Sequence, residues 1–159
     1  MPVIDDITLG LVESKLTAIK KPVSYELLVG PDPLCIPLVE MCERLSATSK
    51  GKIRFTKTKS PENPGIVLLK NYKFLGIPTG TLTGAFIHML ADAVTGEIYI
   101  PKDLQRQIKE INDDVEVWCA ISKTNMDSTE QARWLFEFAL LNPKISVTVV
   151  DVNTFPKEM

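Results

Sequence analysis

The chain contains no C-x-x-C. Its three cysteines, Cys35, Cys42 and Cys119, are odd in number and widely spaced, which excludes a disulfide framework and a zinc site built on paired thiols. There is a single histidine, His88, so any Ser/His or Cys/His catalysis would depend on it alone. Charge of one sign is missing too: 18 Lys and Arg stand against 20 Asp and Glu, and neither half carries a basic block. That excludes the electrostatic footprint of a nucleic-acid partner. No apolar run approaches the ~18 residues of a membrane span, and the opening MPVIDDITLG lacks the positive-then-apolar layout of a signal peptide. These absences set the expectation of a cytoplasmic protein with reduced thiols, no membrane or nucleic-acid partner, and no metal or cofactor.

What is present is an ordinary globular composition, 45% hydrophobic and 24% charged over 159 residues. A chain of this length buries roughly 70% of its unfolded surface and needs no covalent staple. Its organisation is duplicated. Val12, Leu16 and Ile19 form a helical stripe, closed by Lys20-Lys21-Pro22 and followed by a strand over Val23–Val29. Leu104, Ile108 and Ile111 form the same stripe 92 residues later, closed by Asn112-Asp113-Asp114 and followed by an alternating strand over Val115–Ile121. The next strands, Ile53–Phe55 and Ile145–Val147, keep the same offset. Helix–strand–helix–strand thus occurs twice in register, which favours internal duplication over coincidence.

Between the copies, Ile66–Leu69 and Tyr72–Leu75 read as a hairpin turning at Lys70-Asn71, and a helix over about Leu82–Val94 ends at Gly96. The predicted class is α/β: one complete βαβ–ββα unit over residues 1–97, with a leading helix, and a truncated βαβ unit over 98–159. A right-handed βαβ followed by an antiparallel hairpin and a closing helix is the minimal thioredoxin-like unit.

Three stretches carry a family resemblance: Gly76-Ile77-Pro78-Thr79-Gly80 leading into Ala85-Phe86, Leu140-Leu141-Asn142-Pro143-Lys144-Ile145, and Asn63-Pro64-Gly65-Ile66-Val67. With the duplication, they resemble the tandem thioredoxin-like (glutaredoxin-like) proteins. That group includes the N-terminal domain of the alkyl hydroperoxide reductase flavoprotein subunit and the archaeal protein disulfide oxidoreductases. The resemblance covers nearly the whole chain, in degenerate and C-terminally truncated form.

The resemblance implies a C-x-x-C at the start of the helix after the first strand of each unit. There the helix dipole and free N–H groups hold the attacking thiolate while a second thiol resolves the mixed disulfide. The matching residues here are Asp32-Pro33-Leu34-Cys35 and Lys123-Thr124-Asn125-Met126. Lys123 and Met126 replace both sulfurs of the second unit, which cannot exchange thiols. The predicted helix there starts at Ser128, capped by the pair Asp127 and Glu130. In the first unit Asp32 reads as the N-cap and Pro33 as the first helical residue, with Pro37 kinking or delaying the first turn. Cys35 falls at the family's resolving position, either as a working monothiol or as a small buried apolar side chain. The resemblance also gives Pro64 a cis bond that shapes the substrate groove.

Cys42 shares a helical stripe with Leu38, Met41 and Leu45, and Cys119 a strand face with Val115, Val117 and Ile121; both read as core. His88 reads as a surface or satisfied histidine and Lys123 as a solvated loop residue, with anion binding as the alternative. The helix at 128–141 carries more apolar residues than one stripe needs. Ala132, Leu135, Phe136, Ala139 and Leu140 account for a sheet-facing side, while Trp134, Phe138 and Leu141 form a second. The two aromatics offer roughly 300–500 Å², worth at most on the order of 8–12 kcal/mol when hidden. Either the first unit or another chain covers that side. The strand over Ile145–Val152 reads as an apolar edge without its hairpin, which invites pairing. The expected partner is a second copy, giving a homodimer, or another protein that completes the second unit.

The overall expectation is a redox-inactive module for association in a redox or sulfur pathway. The alternative is a thiol–disulfide enzyme working through Cys35 alone.

Overall fold

The computed structural model describes residues 10, 13–17, 19–61 and 63–157. Strand β1 (Val23–Val29) alternates, with Val23, Tyr25 and Leu27 buried and Ser24 and Glu26 exposed. Helix α1 (Cys35–Thr48) buries Leu38, Met41, Cys42 and Leu45, the i, i+3, i+4, i+7 stripe of an amphipathic helix. Strand β2 (Ile53–Lys59) returns parallel to β1, and β3 (Gly65–Leu68) and β4 (Tyr72–Leu75) form the antiparallel hairpin. Helix α2 (Thr81–Thr95) closes the first unit on Gly96, whose positive φ of 72° lets its N–H reach the Asp92 carbonyl. Then come α3 (Lys102–Lys109), β5 (Val115–Ile121), α4 (Met126–Leu141) and β6 (Ile145–Asp151).

The duplication is visible in the strand register. β1 pairs with β2 from Val23 opposite Ile53 to Val29 opposite Lys59. β5 pairs with β6 from Val115 opposite Ile145 to Ile121 opposite Asp151, every pair 92 residues further on. Of the first copy's leading stripe, Leu16 and Ile19 are buried; Val12 lies outside the described residues.

The strands make one six-stranded sheet in the order β2-β1-β3-β4-β6-β5. This corrects one expectation. β6 is not an edge: it lies between β5 and β4, with Tyr72 opposite Val147 and Phe74 opposite Val149. The first unit's hairpin supplies its neighbour, so the open strand of the second unit is β5. Asn71 makes the joint. Its amide donates to the carbonyls of Ala139 and Ile145, and its own carbonyl accepts the Val147 N–H.

Helices α1–α4 each contribute buried apolar residues to one core with the inward row of the strands. On the opposite face the described residues form only a small cluster, in which Phe155 covers Leu28, Leu75 and Val150. Elsewhere that face carries Ser24, Glu26, Thr56 and Ser146 exposed, with Trp118 on β5 the large apolar exception. Among the described residues no helix is long and apolar enough to cross a membrane.

The hairpin turns one residue earlier than expected, with positive φ at Leu69 and Lys70. No described peptide bond is cis, so the expected cis bond at Pro64 is trans, the form an X–Pro bond takes unless its surroundings outweigh about 0.5–1 kcal/mol. Pro64 is buried, and its carbonyl accepts the Gly76 N–H at 2.9 Å, fixing the entry into β3. The next residue must be glycine: a Cβ on Gly65 would lie 2.3 Å from the Phe74 carbonyl oxygen.

Candidate functional site

The first candidate site is the turn from β1 into α1. Asp32 caps that turn rather than the helix: its Oδ1 accepts the Leu34 N–H at 2.8 Å and its carbonyl accepts the Cys35 N–H at 3.0 Å. Helix α1 therefore starts at Cys35, two residues after the expected Pro33, and its N-cap Leu34 has no side-chain cap. Pro37 stays within the first turn without breaking it, because an N–H there has no intrahelical acceptor to lose. The Ile36 N–H bonds the Pro33 carbonyl. The N–H groups of Leu34, Cys35 and Ile36 are thus all engaged and Pro37 has none, so this helix start offers little to a thiolate.

Cys35 is 8% exposed, and its Sγ accepts the Gly30 N–H at 3.2 Å. Beside it lies a cavity of about 440 Å³, walled by Val29, Ile36 and Val39 and rimmed by Glu43 and Lys57, which approach to 3.9 Å. Pro64 is not among the residues lining it.

The second candidate site is the turn from β5 into α4. The helix starts at Met126, not Ser128, and its N-cap is Asn125 rather than the expected Asp127–Glu130 pair. The Asn125 Oδ1 accepts the Asp127 N–H at 2.8 Å and the Ser128 N–H at 3.4 Å. Met126 and Cys35 are each the first residue of their helix. Met126 is 69% exposed. Lys123 is half-buried; its carbonyl accepts the Thr81 hydroxyl at 2.9 Å, tying this turn to the start of α2. The Ser122 hydroxyl donates to Asn153 Oδ1 at 2.8 Å, fixing the turn to the chain after β6. An anion would find the Asp127 and Ser128 amides at the start of α4 already occupied by Asn125.

The remaining candidates are structural. Cys42 is fully buried, and burial pushes its thiol up to about 12. Cys119 is half-buried, its thiol also raised by burial. His88 Nε2 lies 2.7 Å from Lys15 Nζ, and burial, with Lys15 and Arg133 nearby, holds it below its ordinary value. It is a satisfied, neutral imidazole. Among the described residues no three His, Cys, Asp or Glu are placed to hold a metal.

The expected interface stripe divides. Phe138 and Leu141 pack against the core, while Trp134 stays 47% exposed. Sequence reasoning missed the groove beside Trp134, about 690 Å³, lined also by Tyr99, Met126 and Arg133. The Arg133 guanidinium sits 5.6 Å over the Tyr99 ring, and the buried Glu137 carboxylate accepts the N–H groups of Tyr99 and Ile100. The sequence signal was Glu137 within an otherwise apolar run.

The fold is thioredoxin-like. A protein disulfide oxidoreductase from Aeropyrum pernix K1 superposes with a TM-score of 0.88 at 13% identity, over 99% of this chain and 78% of that one. The NTD_N/C domain of alkylhydroperoxide reductase AhpF from Enterococcus faecalis superposes with a TM-score of 0.84 at 17% identity, over 98% and 83%. No sequence-family model matches the chain, and no curated protein sequence is significantly similar to it.

Proposed function

We propose that this chain is a redox-inactive thioredoxin-like module, acting by association as an accessory factor in a redox or sulfur pathway. Its units are taken as residues 1–97 and 98–159. One observation carries the reading. At the two helix starts where proteins of this fold place a reactive thiol pair, this chain offers one buried sulfur and a methionine. The supporting chemistry is that thiol exchange needs an accessible thiolate and a resolving thiol. Cys35 has no second sulfur in its turn, and the N–H groups that would stabilise its anion are engaged. The solved relatives in fold are described as a disulfide oxidoreductase and a peroxide reductase subunit, which favours the redox setting.

The second reading, a monothiol exchange protein, has its own support: Cys35 keeps a family position and lines a cavity large enough for a small thiol. A glutathione- or insulin-linked reductase assay separates the two. No turnover above a Cys35→Ser control is expected. Robust turnover abolished by that substitution would overturn the first reading.

A further inference from the structure

The two edges of the sheet are protected very differently. β2 reads Ile-Arg-Phe-Thr-Lys-Thr-Lys, with Arg54, Lys57 and Lys59 placed along it, the usual protection of an edge against unwanted pairing. β5 reads Val-Glu-Val-Trp-Cys-Ala-Ile, with one charge, no proline and Trp118 47% exposed. Its inward residues Val115, Val117 and Cys119 are only half-buried, whereas their counterparts 92 residues earlier, Val23, Tyr25 and Leu27, are buried. The difference has a cause in the sheet: β1 carries β3 antiparallel on its far side, pairing at Glu26, Leu27 and Leu28. The matching positions on β5 are Trp118, Cys119 and Ala120, where the described residues supply no strand.

The backbone groups that turn away from β6 can be assigned; of these, the Ala120 carbonyl receives the Cys119 thiol at 3.9 Å. The Val115 N–H bonds Lys144, and the Ile121 carbonyl accepts the Val152 N–H, so the odd-numbered residues of β5 turn their backbone towards β6. Those of Glu116, Trp118 and Ala120 face the open side.

We infer that β5 pairs antiparallel with β5 of a second copy, about a twofold axis at Trp118. This names the partner in the association proposed above and rests on that reading. In this register Trp118 meets Trp118 and Glu116 meets Ala120, so every outward backbone position finds another. Val117 meets Cys119 and Val115 meets Ile121, continuing the half-buried row into a matching one. The only charge on the strand faces an alanine, so no like charges oppose. The contact is isologous and closes at two copies, whereas pairing β5 with a β2 edge would run on as an open filament.

Sedimentation equilibrium of the full chain over a concentration series is the test. A reversible dimer is expected. Trp118→Pro removes the outward N–H together with the indole and its bond to Glu116, and should abolish the dimer while leaving a folded monomer by circular dichroism; Trp118→Lys should do the same. Trp118→Cys in a Cys119→Ser background should cross-link under mild oxidation, because opposed hydrogen-bonded residues lie about 5.5 Å apart at Cα, within disulfide reach. A strict monomer at high micromolar concentration, or a dimer that survives both Trp118→Pro and Trp118→Lys, would overturn the inference. Neither result bears on the reductase assay, so the inactive reading stands or falls separately.

Discussion

The side-chain amide of Asn71 donates to the backbone carbonyl of Ile145 at 2.8 Å, joining the hairpin of the first unit to the last strand of the second. The same amide reaches Ala139, and the Asn71 carbonyl accepts from Val147. One residue therefore sets the register in which two copies become one sheet. Asn71→Ala strands two carbonyls and should cost about 1–3 kcal/mol in urea unfolding. Asn71→Asp should cost more, since a carboxylate cannot donate to either. Equal stability of Asn71→Ala and wild type would show that the joint is held elsewhere.

Asn125 lies in the turn from β5 into α4 and caps that helix. Asn125→Ala should destabilise the protein by about 0.5–2 kcal/mol, with the melting temperature as readout. Asp127→Ala should cost less, because Asp127 contributes its N–H to the cap rather than its side chain.

Much of this was legible in the sequence, for physical reasons. The 92-residue offset survives in the ladder because strand register is enforced by which face is buried, and burial is written in the apolar pattern. Helix starts were less legible. The Asp127–Glu130 spacing mimics a capping box, yet Asn125 lies two residues nearer β5 and takes the amides first. The edge strand was misassigned because a lone βαβ unit does not reveal which of its two strands docks on a neighbour. Asn71 and the Tyr72–Leu75 strand decide that, and they lie in the other unit.

Asp92 gives a pH signature. It is 3% exposed, and burial raises its carboxyl from 3.8 to about 6, with Glu137 and Glu97 adding to the rise and Arg133, 3.8 Å away, opposing it. A carboxyl whose folded value is raised binds its proton more tightly in the native state. Its contribution is therefore fully present below about pH 4 and lost as pH climbs through about 6. Asp92→Asn should be at least as stable as wild type at pH 7.5. The difference between the two proteins should shrink as pH falls from 7 to 4, measured by urea midpoints across that range. A mutant destabilised most at pH 7.5 would mean that the Arg133 contact outweighs burial.

The three thiols should react with a thiol reagent in an order set by burial. Cys119 is half-buried on the open edge strand, Cys35 is 8% exposed, and Cys42 is fully enclosed with its thiol at about 12. Cys119 should label first, Cys35 more slowly, and Cys42 only at the rate of global unfolding. Peptide mapping after timed quenching reads each site separately. The order also bears on the paired edge: opposite Val117 of a second copy, Cys119 loses its access, so its labelling should slow as protein concentration rises while that of Cys35 stays constant. Trp118→Pro should remove the concentration dependence and leave the order intact. Labelling of Cys42 ahead of Cys119 in the native protein would contradict the packing of α1 itself.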